Sequence, residues 1–453
     1  MSQRAEVGSR KSEVSWARIL VFLFALLPTS YFLLPSRASA AVQVEVGTFV
    51  ANTGSATTTV TTGFQGKAVI LFSDGKTAEG ESTGASFAIG LADGTNKGGA
   101  SWSGDNGVTT TNAGRWFHNT NIFAILTDGG PTVGDYVSAI AFNATPNMVL
   151  TWNSTPASAW KTSYILIGGT DITNVKVGND TIPTTVSSKS FTGVGFQGDA
   201  VILIGNKNTA VSTTTKGSSL LGFAIGASKQ WGWGGTVQDA AATDANVNGT
   251  SKLRNDAVYV GMDPNAGDTN DIADFTSFDA DGFTLNFSAV SGSAERFAYL
   301  VIKGGSWDCG TAAKPSSATT QTVTGMTFQP KLLGYLLSSP TSLATATSND
   351  IETLGAATNT SARGYAGSYH GDVVTTGTVA ISSGASNLLS HELNATANLN
   401  FTSFNSDGWT GTWSASGTAF QSAWFAAGDN GGATGTKTLL TGGVTLTGGV
   451  MAQ

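Results

Sequence analysis

One cysteine, Cys309, stands in a chain of 453 residues, so no disulfide can form within it. Small secreted domains usually need such staples. A unit of ~130 residues does not, because it buries roughly two-thirds of its unfolded surface. Charge is scarce as well. Asp, Glu, Lys and Arg make up 12% of the residues, against about a quarter in ordinary soluble domains. The chain has three histidines, His118, His370 and His391. None lies in an HExxH motif or beside a second histidine at ligand spacing. The one GxSxG spacing, "GESTG" at Gly80 to Gly84, has no helix pattern after it and so makes no nucleophile elbow, and "GATGTKT" near the C-terminus lacks Walker spacing. "HGD" at His370 to Asp372 sets a histidine near a carboxylate, but no serine elbow accompanies it. The local signatures of zinc proteases, α/β-hydrolases and P-loop enzymes are thus absent, and a non-enzymatic protein is expected.

What is abundant is small and polar: Gly, Thr, Ser, Ala and Asn. Such a surface suits an extracellular wall, fibre or coat. The first 40 residues hold five basic and two acidic side chains, leaving 18 basic against 28 acidic and a net charge of −10. That balance argues against nucleic acid, whose phosphates are neutralised by Lys and Arg. The same 40 residues read as a secretory signal peptide. Arg4, Arg10, Lys11 and Arg18 form a basic start, Ile19 to Leu27 an apolar run, and Ala38-Ser39-Ala40 a cleavage site before Ala41. The run is too short to span a bilayer, which takes ~20 apolar residues. No membrane span is expected in the mature chain.

The chain repeats itself. "GFQGKAVILF" (Gly63 to Phe72) returns as "GFQGDAVILI" (Gly195 to Ile204), and Phe64-Gln65 returns a third time as Phe328-Gln329. "SFAIG" from Ser86 returns as "GFAIG" from Gly222. "FTSFDADGFTLNFS" from Phe275 returns as "FTSFNSDGWTGTWS" from Phe401. Each unit closes on an aromatic-led apolar strand: "YILIGG" from Tyr164, "YLVIKGG" from Tyr299 and "WFAAGDNGG" from Trp424. Three copies follow, over 41–170, 171–305 and 306–430, with a strand-like tail over 431–453.

The copies read as strands. "VQVEVGTFV" alternates apolar and polar, the pattern of a half-buried strand. "KAVILF" is a continuous apolar run, which fits a strand buried on both faces. Asp281-Gly282 between aromatic-rich runs signals a hairpin. No amphipathic helix is evident after residue 40. The fold expected is all-β: three tandem jelly-roll-like β-sandwich repeats. In this register Cys309 takes the place of Val177, an inward position, and reads as a small hydrophobe.

Two groups of residues are candidate sites. Trp102, Trp233 and Tyr365 fall at steps of 131 and 132, which puts them at one equivalent position, with Trp231 and Tyr369 nearby. Aromatic faces near loops stack on sugars, so these rings are a candidate glycan platform; as large apolar groups they equally suit a core. Asp263, Asn265, Asp268, Asn270 and Asp271 gather hard oxygen ligands of the kind Ca²⁺ takes. A structural Ca²⁺ is the one cofactor this stretch suggests; a solvated loop is the simpler reading.

The run F-Q-(G/P)-x-A-V-I-L, then G-F-A-I-G, F-D-A-D-G-F-T-L-N and Y-L-V-I-x-G-G, resembles sandwich repeats of uncharacterised bacterial surface and phage virion-associated proteins. The resemblance spans all three copies and implies a structural role, with no catalytic residues to carry over. The leading expectation is a secreted structural protein, a cell-surface, filament or layer component. It would self-associate through its repeats and through terminal strands, "AVQVEVGTFV" at the mature N-terminus and the tail at the other end. The alternatives are a multivalent carbohydrate-binding adhesin, which would use the rings against surface glycans, and a phage virion-associated structural protein.

Overall fold

The apolar run of each repeat forms a strand with no exposed face: Gly66–Ser73, Ala200–Gly205 and Leu332–Ser338. In the first, Ala68, Ile70 and Phe72 point one way and Val69 and Leu71 the other, into two different cores. Alternation along a strand separates the two sets. Both cores are apolar, so the run is apolar throughout.

The computed structural model describes residues 41–430 apart from 84, 105–112, 127–131, 238–248, 264–268, 371–378, 386, 392–396 and 415–416. The leader expected over 1–40 and the tail over 431–453 lie outside the described residues. Within them the chain is all-β, with six antiparallel sheets and no α-helix. Among the described residues no helix is long and apolar enough to cross a membrane.

Three sandwich units result, each of a seven-stranded and a four-stranded sheet. The large sheet of the first unit runs in the order Val42–Val50, Lys161–Gly169, Gly66–Ser73, Ala85–Ala92, Lys97–Gly104 and Ala113–His118. Its small sheet runs Thr57–Thr61, Asn147–Trp152, Val133–Asn143 and Phe123–Leu126. The first strand pairs with the last, and the second with the last but one. Those nested ends wrap as in a jelly roll. The middle of the unit instead meanders within one sheet before crossing to the other.

The seventh strand of each large sheet comes from another unit. Thr213–Thr215 of the second repeat pairs with Ala113–His118 of the first. Thr347–Ser348 of the third pairs with Thr250–Arg254 of the second. Gly80–Thr83 of the first pairs with Val379–Gly384 of the third. The exchange runs from two to one, three to two and one to three, so it closes on itself.

Inward faces of the three large sheets meet in one shared core. Phe72, Phe87 and Trp102 from the first repeat join Phe223, Trp231 and Trp233 from the second and Trp307, Cys309 and Phe425 from the third. Phe223 and Phe425 stack with centroids 4.9 Å apart. Each sandwich keeps its own interior besides.

The opening strand of each repeat is covered by a neighbour. Val177 donates its N–H to Asp93 at 2.9 Å, and Lys229 pairs with Asp308 at 2.7 Å. Val42–Val50 pairs with Lys161–Gly169 along its length and packs against Arg363–His370 of the third repeat. Val42 N–H donates to Asp429 at 2.8 Å. The N-terminal strand expected to be open to another chain therefore completes its own unit and seals the ring.

Hairpin turns behave as their sequence suggests. Asp281 accepts the N–H groups of Gly193 and Gly195. Beside it, a Cβ on Gly282 would stand 1.9 Å from the Phe191 carbonyl oxygen, so only glycine fits.

Candidate functional site at the joint of the repeats

Glu352 joins all three repeats through its own hydrogen bonds. It stands on Asp350–Ala357 of the third repeat. Its Oε2 accepts a hydrogen bond from Ser219 Oγ of the second repeat at 2.7 Å and from Trp102 Nε1 of the first at 3.2 Å. The position is dry, with Glu352 and Asp350 only 3% and 2% exposed. His370, paired to Asp350 across the hairpin, packs its ring 4.5 Å from that of Trp102. Among the described residues no lysine or arginine forms an ion pair with either carboxylate.

Such burial without a cation favours the neutral form. Burial pushes Glu352 up to about 8, against which the bonds from Ser219 and Trp102 act. Asp350 is raised well above the carboxylate range, by burial first and by Glu352 second. Burial holds His370 down to about 3, so the ring is uncharged. The joint is a set of neutral polar groups on an apolar axis. The cavity beside it measures about 10 Å³, room for one water at most. No substrate enters here.

The aromatic residues singled out above lie inside the molecule. Trp102, Trp231 and Trp233 are 3%, 1% and 1% exposed and belong to the shared core. Tyr365 and Tyr369 are buried too. None turns a ring face to solvent, as a glycan platform requires. Nor do the three rings share one position. Counting from Leu71, Leu203 and Tyr335 on the apolar runs, the facing residues are Gly90, Gly222 and Gly355. Across the next hairpin those meet Gly99, Gly232 and Tyr365. Trp233 therefore stands one residue past the common mark and Trp102 three past it, while Tyr365 sits on it. One step in a strand reverses the face, so Tyr365 points away from the shared core. Single-residue differences shift the marks: Gly90 to Gly99 is nine residues and Gly222 to Gly232 ten, while Tyr335 to Gly355 is twenty residues against nineteen from Leu203 to Gly222.

Two of the proposed Ca²⁺ ligands, Asn265 and Asp268, lie outside the described residues. Asn270 and Asp271 face a lysine instead. Lys207 Nζ donates to Asn270 Oδ1 at 2.7 Å and to Asp271 Oδ2. Asp263 lies close enough to Asn270 to accept a long hydrogen bond, at 3.5 Å. No group of three His, Cys, Asp or Glu among the described residues is arranged to hold a metal. Cys309 is buried, and burial raises its thiol well above the usual range.

The joint itself was not found from sequence. Asp350 and Glu352 stand among Asn349, Ile351 and Thr353, and nothing local shows that their face turns inward. The one signal was chemical: two carboxylates on one strand face of a chain with so few charges.

An open groove of about 540 Å³ lies between the first two repeats. Asn96, Asn119, Lys176 and Tyr299 are among the residues that line it.

No protein-family model and no curated protein matches the chain. Among solved structures, a TodX monoaromatic hydrocarbon channel mutant aligns over 87% of this chain and 92% of that one, at 9% identity and a TM-score of 0.09. A likeness that faint carries no argument about fold or function.

Proposed function

We propose that the chain is a secreted, non-enzymatic structural protein: a preassembled block of a surface layer, filament or coat. The observation that supports this most is the closed exchange of strands among three sandwiches. A ring of three related units in one polypeptide presents three similar outer sheets about one axis. Repeated surfaces of that kind favour ordered self-association. The outer faces carry hydroxyl and amide ladders, with a carboxylate such as Asp279 beside Thr284 among them. Ser190 meets Thr284 at 2.7 Å and Thr322 meets Thr410 at 3.2 Å, with Ser190 and Thr322 exposed and both partners half-buried. The polar chemistry that does exist, at Glu352, is locked inside and holds repeats together.

Self-association then runs through outer faces and through the tail beyond residue 430, because the N-terminal strand is used within the ring. Electron microscopy of residues 41–453 over a concentration series tests the reading. Ordered sheets or fibres are expected. Dispersed single rings at every concentration, with and without the tail, would discard it.

A second reading, a carbohydrate-binding adhesin, draws support from the groove lined by Asn96, Asn119 and Tyr299. Its contacts would be those residues and not the tryptophans. Glycan-array binding that survives Asn96→Ala with Asn119→Ala would remove it.

A further inference from the structure

Lys207 lies two residues beyond the strand Ala200–Gly205, in a left-handed backbone conformation (φ 57°). Its side chain turns inward between the two sheets of the second sandwich. The ammonium meets the carboxylates of Asp271, from the small sheet, and Glu295, which leads into the last strand of the large sheet. Lys207 and Glu295 are 2.8 Å apart. All three side chains are buried, 4%, 0% and 5% exposed. The wall is aromatic, with Tyr259 and Phe297 at 5.8 Å between centroids. Gly261 leaves the space: a Cβ there would come within 2.8 Å of Asp271 Oδ2 and 3.2 Å of Lys207 Nζ.

The two oxygens of Asp271 have different neighbours. Oδ1 accepts the Ser291 backbone N–H at 2.6 Å, while Oδ2 faces Lys207. Ser291 Oγ donates to Glu295 at 3.0 Å, fixing that carboxyl as well. One carboxyl oxygen is thus held by an N–H donor, the other faces an amine, and a second carboxyl stands beside both. That is the arrangement amide formation needs: a desolvated amine nucleophile, a carbonyl oxygen with its donor in place, and a group to carry protons. A buried ion pair also bears a heavy desolvation penalty, which conversion to a neutral amide removes.

We propose that Lys207 and Asp271 join in an intramolecular amide cross-link, with Glu295 carrying the protons. Lys207 Nζ bonds to Asp271 Cγ, and the Cγ–Oδ2 bond breaks. Two of the three ammonium protons pass through Glu295 to Oδ2, which leaves as water. Oδ1 remains as the amide oxygen on the Ser291 N–H, and Glu295 ends as it began. No oxidant or cofactor takes part. Burial, followed by Asp271 among the charges, pushes Glu295 up to about 7 against the pull of Lys207, which suits a group that both takes and gives a proton. Arg115 and Asp263 are the other charged groups that face this corner.

The site is peculiar to the second repeat. In the first, the matching carboxylate, Asp135, accepts from Ala157 N–H at 3.0 Å and Trp160 Nε1 at 2.7 Å. Gly75 stands there in place of the lysine. The cross-link would tie the two sheets of one sandwich covalently, whatever the ring assembles into.

Intact-mass spectrometry of the denatured full-length chain tests it, with peptide mapping around Lys207. The expected result is a mass one water below that of the sequence, and a branched peptide joining Lys207 to Asp271. Glu295→Gln should restore the full mass, and Asp271→Asn should lose one ammonia where the wild type loses water. The mass is read on unfolded protein, and the wild type alone decides the matter. A wild-type chain of full mass with Lys207 in an unbranched peptide overturns the proposal. Loss of ammonia from the wild type, with the branch at Asn270, overturns the assignment to Asp271.

Discussion

Asp350 and Glu352 are two residues apart on one strand, so both face the shared core, and no lysine or arginine among the described residues forms an ion pair with them. Their folded forms are neutral, while in the unfolded chain they ionise near their ordinary values, 3.8 and 4.5. A carboxyl whose folded pKa is raised stabilises the fold fully below the unfolded value. That contribution is lost as pH rises toward the folded value, about 8 for Glu352. The melting temperature should therefore fall from about pH 4 to about pH 8, as stability on the order of a few kcal/mol is lost. Glu352→Gln should flatten that slope, because the amide keeps acceptor and shape and cannot ionise. A wild-type slope unchanged in the glutamine variant would place the effect elsewhere. The tryptophans belong to the same core. Trp233→Ala should cost about 3–5 kcal/mol, read by denaturant unfolding, and leave any glycan binding per folded molecule unchanged. From sequence the rings allowed two readings because aromatic residues serve both surfaces and cores. Only the meeting of three sheets, which joins residues more than a hundred positions apart, separates the two.

At the scale of elements, the exchanged strands are short, and side chains hold them. Thr213–Thr215 makes three backbone pairings with the first repeat. Arg115 adds to them, donating to Asn208 Oδ1 at 2.9 Å and to Thr214 Oγ1 at 3.2 Å. Burial lowers this guanidinium to about 10, so it remains charged at neutral pH. Hydrogen bonds from a charged donor contribute about 1.5–3 kcal/mol each. Arg115→Ala should speed amide hydrogen exchange at Thr213–Thr215 and in the neighbouring turn, with the third repeat unchanged. Uniform acceleration throughout would mean that the junction opens only with global unfolding. Elements were the most legible level. The apolar runs, the Asp281-Gly282 hairpin and the closing strands all follow from local pattern, because each is decided by nearby residues. The register of the rings does not follow, since one residue more or less in the links between strands shifts it. Exchange is hidden as well: Thr347–Ser348 is two residues long and carries no strand signal of its own.

At the scale of the whole molecule, three copies in tandem could form a string, in which each unit contacts only its neighbours, or pack together, and nothing in the repeats decides between the two. The ring differs from such a string in two ways. Every unit lends a strand to another, and the inward faces of all three large sheets share one core. Residues 171–305 in isolation would expose Ile202, Leu221, Phe223, Trp231, Trp233 and Leu300, all now buried. They would also leave the edge of Thr250–Arg254 without its partner strand. Monomers rarely tolerate so large an apolar face. The isolated second repeat carries both halves of the exchange, a strand to donate and an edge to accept one. Analytical ultracentrifugation should accordingly find it trimeric or larger, with no stable monomer. The intact chain, by the same argument, should melt in one calorimetric transition whose van't Hoff and calorimetric enthalpies agree. A stable monomeric second repeat, or three separable transitions in the intact chain, would show that the sandwiches stand alone and that the shared core adds little.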